Sequence, residues 1–372
     1  MKIYEDISLK DFCTFGIDVK ARRLVVIENE EDVNTLPPSE REDEVRMLIL
    51  GGGSNMVFTK DYDGTVITLG RNYQLPTINY QLSTISAWGG MVMDDLVQWT
   101  LDQGFYGLEN LSAIPGTVGA SAVQNVGAYG AEAKDFIERV EAYDLVEHRR
   151  CSFSNADCRF AYRQSMFKEQ PGRYLILRVS FRLSRTFVPN LSYKALEGLP
   201  HATAQQFRDA IIDLRWGKLP KPEEHGSAGS FFKNPVVEES TYLRIKQEYP
   251  DMPEAHGVHT PQSTRCVACS PNLGEQLDSC GCGNSSSPKL GEGDPKGGGV
   301  CNGYKLSAGW LIDRAGWKGR TQGRAGVWPQ NALVLYNAGG CSGGEVVALA
   351  QAIQQDVKDK FGVQLEPEAI II

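Results

Sequence analysis

The sequence has no apolar stretch long enough to cross a membrane, and no apolar leader follows its first residues. Met1-Lys2-Ile3-Tyr4-Glu5-Asp6 turns acidic at once, so neither export nor membrane insertion is expected. The uncharged run between Glu109 and Glu132 is rich in glycine, alanine and serine and carries Pro115, Gln124 and Asn125, so it reads as a loop. Basic residues are in deficit: 38 Lys and Arg stand against 46 Asp and Glu, a net charge of −8. That excludes a whole-protein grip on nucleic acid and leaves a local basic pocket for a small anion. Nine cysteines in 372 residues are too few for a disulfide scaffold, and a reducing, cytoplasmic setting is the expectation. No internal repeat is present. With 41% apolar and 23% charged residues, gross disorder, collagen and coiled coil are excluded as well.

What remains is an ordinary globular composition, long enough for two or three domains. Residues 23–27, 45–50, 65–69 and 83–87 read as short strands, and the second runs directly into Gly51-Gly52-Gly53-Ser54-Asn55. Residues 93–103 carry a helical stripe stopped by Gly104. Residues 174–183 alternate, with Leu175, Leu177, Val179, Phe181 and Leu183 on one face, as in a half-buried antiparallel strand. Thr203 is placed to cap a helix over 203–214, and Leu219-Pro220-Lys221-Pro222 marks a domain boundary. A strand over 332–336 and a helix over 345–361, stopped by Gly362, close the pattern. Short mixed strands with separated helices predict an α+β fold rather than a regular βαβ winding.

One stretch stands apart. Between residues 270 and 299, sixteen of thirty residues are Gly, Ser or Pro and none is aromatic, too little apolar area to offset ordering. It reads as a surface insertion. Cys266, Cys269, Cys280 and Cys282, with His256, His259 and Cys301 nearby, offer thiolates for a structural zinc, but the C-x-C half is unusual. An unordered loop without metal is the preferred reading, with disulfides third.

Five segments carry chemistry. Glycines 51–53 after a buried strand let backbone approach a phosphate, yet neither G-x-G-x-x-G nor a P-loop lysine is present; alone, a tight inter-strand turn explains them. Residues 114–130, with Gln124, Asn125 and Tyr129 among small side chains, suit wrapping around an extended cofactor. Tyr162-Arg163-Gln164-Ser165-Met166-Phe167 sets one cation beside aromatics. Gly226-Ser-Ala-Gly-Ser230-Phe-Phe-Lys-Asn-Pro235 holds a serine that is a nucleophile, a proton donor or part of a turn. G-x-S-x-G is absent and only His225 is near, which speaks against Ser–His hydrolysis. Last, Leu365-Glu366-Pro367-Glu368 contains a carboxylate that burial would turn into an acid.

In this order, together with Thr14-Phe15-Gly16-Ile17, Lys218-Leu219-Pro220 and Ser307-Ala-Gly-Trp310-Leu-Ile-Asp313, the segments resemble one family. It is the flavoprotein UDP-N-acetylenolpyruvoylglucosamine reductases of bacterial cell-wall synthesis, type I. The resemblance covers the chain except for about 256–303. It implies a two-lobed FAD-binding region of the vanillyl-alcohol-oxidase type, lobe 1 over 1–70 and lobe 2 over 71–216. A substrate-binding domain over 217–362 and a segment over 363–372 returning Glu368 to the site complete the expected layout. NADPH would reduce the flavin, and flavin N5 would pass a hydride to the enolpyruvyl ether of UDP-N-acetylglucosamine, giving UDP-N-acetylmuramate.

By matching motifs, Ser230 is implied as the proton donor, with Arg163 and Glu368 holding the carboxylate and steadying the enolate-like intermediate. The cofactor would lie against Gly51, Gly52, Gly53, Ser54, Asn55 and Met56 and against Ile114, Pro115, Gly116, Thr117, Gly119 and Ala120. Gln124, Asn125, Gly127, Ala128, Tyr129 and Gly130 would complete its cradle. Lys218 and Asn234 are implied for the substrate diphosphate and Tyr193 for a lid over it. No metal, nucleic acid or membrane is called for, and a monomer is expected. Cys13 stands where the family's N-terminal motif has asparagine, and three further departures matter: Trp328 stands for a histidine, Arg314 for a glutamine, and the tail after Glu368 is Ala369-Ile370-Ile371-Ile372. A flavin-dependent oxidoreductase acting on another substrate, and a non-catalytic flavin-binding protein with a metal- or partner-binding insertion, are the competing readings.

Overall fold

The computed structural model describes residues 1–36, 46–71, 75–258 and 303–372. Cys266, Cys269, Cys280, Cys282, Cys301 and His259 lie outside the described residues, so the zinc alternative falls outside them too. Among the described residues no helix is long and apolar enough to cross a membrane.

The first sheet runs in the spatial order Lys2–Ser8, Lys20–Ile27, Tyr62–Leu69, Met47–Leu50, antiparallel at its first pair and parallel thereafter. Its central strands are apolar at consecutive positions because both faces are covered. Leu24 and Val66 join a core shared with the C-terminal third of the chain, whereas Val25 and Ile67 face Trp88, Tyr143, Leu175 and Leu177 of a second sheet. That second sheet is antiparallel throughout, ordered Arg149–Ser154, Ile137–Asp144, Tyr174–Arg182, Thr84–Trp88, Thr77–Asn79.

The alternation expected over 174–183 breaks once. Arg178 pairs with Glu141 and Ile176 with Ala142, leaving Leu177 as the extra residue of a bulge. Leu175 and Leu177 therefore pack toward the first sheet, while Ile176, Val179 and Phe181 pack under the helices Met93–Asp102 and Val118–Gln124.

Further strands form a four-stranded sheet, ordered Ser227–Ser230, Val334–Asn337, Ala325–Val327, Thr321–Gln322, a three-stranded one of Val236–Val237, Gly303–Lys305 and His256–Val258, and a small pair of Gly127–Ala128 with Ala131–Glu132. Helix Gly343–Phe361 lays Val346, Leu349, Ile353 and Val357 on the core. It begins two residues before the expected start at Glu345 because Ser342 and Glu345 close a capping box, and it ends at Gly362 with φ +68°. Thr203 caps helix Ala204–Trp216 as expected, its Oγ1 accepting from the Gln206 N–H at 3.1 Å. Ile370–Ile371 then runs parallel to Met56–Val57, returning the end of the sequence to the glycine turn after the first sheet.

Candidate active site

The two glycine-rich segments meet. A Cβ on Gly52 would sit 2.7 Å from the Gly116 Cα, and one on Gly51 2.9 Å from the Ala120 Cβ. Only hydrogen at these positions lets the two backbones pack this closely. Gly53 and Gly116 have φ of +60° and +127°, turns of the kind in which successive N–H groups can converge on an anion. This side-chain-free junction fits the diphosphate of FAD.

The run over 114–130 is not the loop its composition predicts: Val118–Gln124 is a helix. The Thr117 Oγ1 accepts from the Ala120 N–H at 3.3 Å, and Asn125, at φ +43°, ends it. Gly119 fits it against the second sheet, since a Cβ there would meet the carbonyls of Gly89 and Ile176 at 3.1 and 3.2 Å. Small residues here serve close helix-on-strand packing rather than flexibility.

Asn125 is wholly buried and its side chain is engaged by protein. It donates to Ala161 O at 2.9 Å and Glu132 Oε2 at 3.1 Å and accepts from Lys134 N at 3.0 Å. Its structural effect is to anchor Ala161, from which the turn to Gln164 carries Tyr162 and Arg163. Arg163 has φ +54°, a left-handed conformation costing a non-glycine residue about 1 kcal/mol.

Arg163 and Glu368 are brought into contact. The Arg163 Nε lies 3.0 Å from the Glu368 Oε1, an ion pair without good hydrogen-bond alignment, while its Nη2 donates to Gly127 O at 2.8 Å. Gln124 Nε2 donates to the same Glu368 Oε1 at 3.1 Å. Both cation and amide thus converge on one carboxylate oxygen, Oε1. The Glu368 backbone is fixed as well: its N–H donates to Phe231 O at 2.8 Å and its carbonyl accepts from Asn55 Nδ2 at 3.1 Å. Phe231 follows Ser230, the exposed last residue of Ser227–Ser230, so the serine adjoins the pair through one peptide unit.

Two lysines that sequence reasoning did not single out complete the cationic surroundings. The Lys168 Nζ donates to Gln124 Oε1 at 2.7 Å, and the Lys305 Nζ lies 3.4 Å from the centroid of the Tyr162 ring. Burial pushes both ammonium groups below the usual lysine range, and the nearby Arg163 charge adds to it.

The expected diphosphate residues stand apart from one another in role. Tyr193, 48% exposed, sets its ring edge-on to Tyr129 at 5.6 Å. Beneath Tyr129 lies the guanidinium of Arg215, its carbon 5.9 Å from the ring centroid, a residue that no motif singles out. Lys218 is exposed just beyond that helix, and Asn234 uses its side-chain oxygen to accept from the Ala308 N–H at 3.0 Å.

Comparison with known proteins shows the family and the fold. A family model for the UDP-N-acetylenolpyruvoylglucosamine reductase C-terminal domain matches residues 221–372, and one for an FAD binding domain matches 21–147. The UDP-N-acetylenolpyruvoylglucosamine reductase of Pseudomonas putida is 40% identical over 371 residues, covering 98% of this chain and 97% of that protein. That of Pseudomonas aeruginosa is 40% identical over 377 residues, covering 99% and 98%. The crystal structure of the Thermus caldophilus UDP-N-acetylenolpyruvylglucosamine reductase shares the fold, with a TM-score of 0.64 at 21% identity, covering 100% of this chain and 99% of that one. The chain belongs to the UDP-N-acetylenolpyruvoylglucosamine reductases, FAD-dependent oxidoreductases of peptidoglycan precursor synthesis.

Proposed function

We propose that this chain reduces the enolpyruvyl ether of UDP-N-acetylglucosamine to UDP-N-acetylmuramate, with NADPH as the electron source. FAD, which the 51–56 and 114–130 segments would hold, would supply the hydride-transfer chemistry between the nicotinamide and the vinyl group. The observation that carries the reading is the Arg163–Glu368 contact, tied by Glu368 to Phe231 beside Ser230.

Hydride delivery builds negative charge on the carboxylate-bearing carbon, and preorganised donors at that point lower the barrier. Arg163 holds the substrate carboxylate, Glu368 stabilises the enolate-like charge, and Ser230 protonates the carbon. A serine is a poor acid in water, so this step relies on a strongly basic carbanion held in line with Oγ. Gly51, Gly52, Gly53, Ser54, Asn55 and Met56, with the 114–130 segment, hold the cofactor. Lys218 and Asn234 meet the substrate diphosphate, and Tyr193, already seated on Tyr129, closes over it and excludes water.

In this reading lobes 1–70 and 71–216 bind FAD and 217–362 binds substrate, a division supported by the strands of each of the four larger sheets falling within one of those ranges, while Ile370–Ile371 crosses back to pair with Met56–Val57. A monomer working in the cytoplasm, where soluble nucleotide substrates are available, completes the proposal. The scheme calls for no metal.

The deciding experiment is anaerobic. The protein is reduced with NADPH, the enolpyruvyl substrate is added, and the oxidised-flavin absorbance is followed. Rapid return of that band is the expected result; a flavin that stays reduced overturns the substrate assignment.

A further inference from the structure

We infer that Lys168 is a positioning residue for the Arg163–Glu368 pair, fixing both members through a single ammonium group. The inference rests on the proposed role of that pair.

Lys168 lies on the one-turn helix Met166–Glu169, five residues past Arg163. Its Nζ donates to Gln124 Oε1 at 2.7 Å and to the Arg163 backbone carbonyl at 3.0 Å. An ammonium offers donors only. Contact with Lys168 therefore sets which end of the Gln124 amide faces which neighbour: oxygen toward the lysine, NH2 toward the Glu368 Oε1 at 3.1 Å. Without the lysine the amide is free to turn over and present its oxygen to the carboxylate, an acceptor against an acceptor.

The second contact acts on the other member. Arg163 sits in the left-handed region at φ +54°, and a charged donor on its carbonyl opposes relaxation of that backbone. Lys168 is itself held. Ser165, wholly buried, donates to Val123 O at 2.6 Å and accepts from the Lys168 backbone N–H at 3.3 Å, clamping the short helix to the end of Val118–Gln124. A short relay thus runs from Ser165 through Lys168 and Gln124 to Glu368, with a branch to Arg163. Lys168 does not contact the reacting atoms through any of these bonds.

Anaerobic stopped-flow measurements on Lys168→Met and Lys168→Arg separate the two half-reactions. In Lys168→Met, flavin content and reduction by NADPH stay within about twofold of the parent. Reoxidation by saturating enolpyruvyl substrate slows by about 10- to 100-fold with KM moved less than about threefold, the scale of a roughly 1 Å misplacement. Lys168→Arg, which keeps charged donors, recovers most of the rate. The double variant Lys168→Met/Gln124→Leu is no slower than the worse single variant, because both interrupt one relay. Should methionine not be tolerated, Lys168→Gln carries the same comparison.

Reoxidation within twofold of the parent, loss of flavin, or losses that multiply in the double variant overturn the assignment. A parent protein that is not reoxidised by the substrate at all overturns the reaction itself, and the relay with it.

Discussion

Asn55 and Glu368 meet although 313 residues separate them in sequence, the Asn55 Nδ2 donating to the Glu368 carbonyl at 3.1 Å. The same contact line continues as backbone pairing, with Ile370 N–H on Asn55 O at 2.9 Å. The turn whose glycines pack against 116–120 therefore also sets the position of the carboxylate.

Ser230→Ala removes the proposed proton donor without touching the glycine junction. Flavin reduction by NADPH stays within about twofold, and substrate-driven reoxidation falls by 10²- to 10⁴-fold, the usual worth of a positioned acid. Stopped-flow absorbance reads both steps. Unchanged reoxidation would remove Ser230 from the mechanism.

Glu368→Gln leaves the Arg163 guanidinium without its counter-charge at a site where the two side chains are 22% and 11% exposed. Stability should drop by about 1–3 kcal/mol, read as a lower urea midpoint. The oxidative half-reaction should slow by at least tenfold while NADPH oxidation is spared. A variant with parental stability would show that the pair contributes nothing to the fold.

Gly52→Ala drives a methyl to 2.7 Å from a backbone atom of Gly116. Neither backbone can yield without moving its neighbour, so a cost of about 1–3 kcal/mol is expected, together with weakened FAD retention. Flavin-to-protein absorbance after gel filtration checks it. Full flavin content and unchanged melting would mean the two turns can separate freely.

Three buried thiols set an alkaline limit. Burial pushes Cys13 and Cys158 up to about 12 and Cys341 to about 11, against an ordinary value of 9.0. The unfolded chain thus loses these protons first as pH rises. The stability held by the neutral thiols is complete below about pH 9 and declines toward 11–12, by at most about 1.4 kcal/mol per thiol per pH unit. Urea midpoints in reducing buffer at pH 8 and 10 should show the loss, and Cys158→Ala should show a smaller one. An equal loss in the variant would assign the alkaline sensitivity elsewhere.

Strands, caps and helix stops were legible where burial follows a simple period, as in Gly343–Phe361 and its Gly362 stop. The helix Val118–Gln124 was not, because small residues give no hydrophobic stripe; Thr117 ahead of the run was the available sign. Nor was the bulge at Leu177, since an extra residue leaves the apolar pattern of its own strand intact and shows only in the partner's register. At the site, Arg163 and Glu368, each named from its motif, lie in contact, but Lys168 was passed over. Its meaning depends on Ser165 folding a single helical turn back onto Val123, and the spacing Ser165-x-x-Lys168 alone does not distinguish that turn from any surface one. Asn125 was assigned to the cofactor on its motif, whereas its side-chain bonds run to Glu132, Ala161 and Lys134.

The long sequence separations at Glu368 have a kinetic meaning. Its partners Asn55, Gln124, Arg163 and Phe231 come from each of the three sheet-bearing regions, so the pair forms only after the largest loops have closed. The junction between 51–53 and 116–120 closes a much shorter loop. On refolding, flavin fluorescence quenching should therefore recover before turnover does, and the lag between them times the docking of the C-terminal segment.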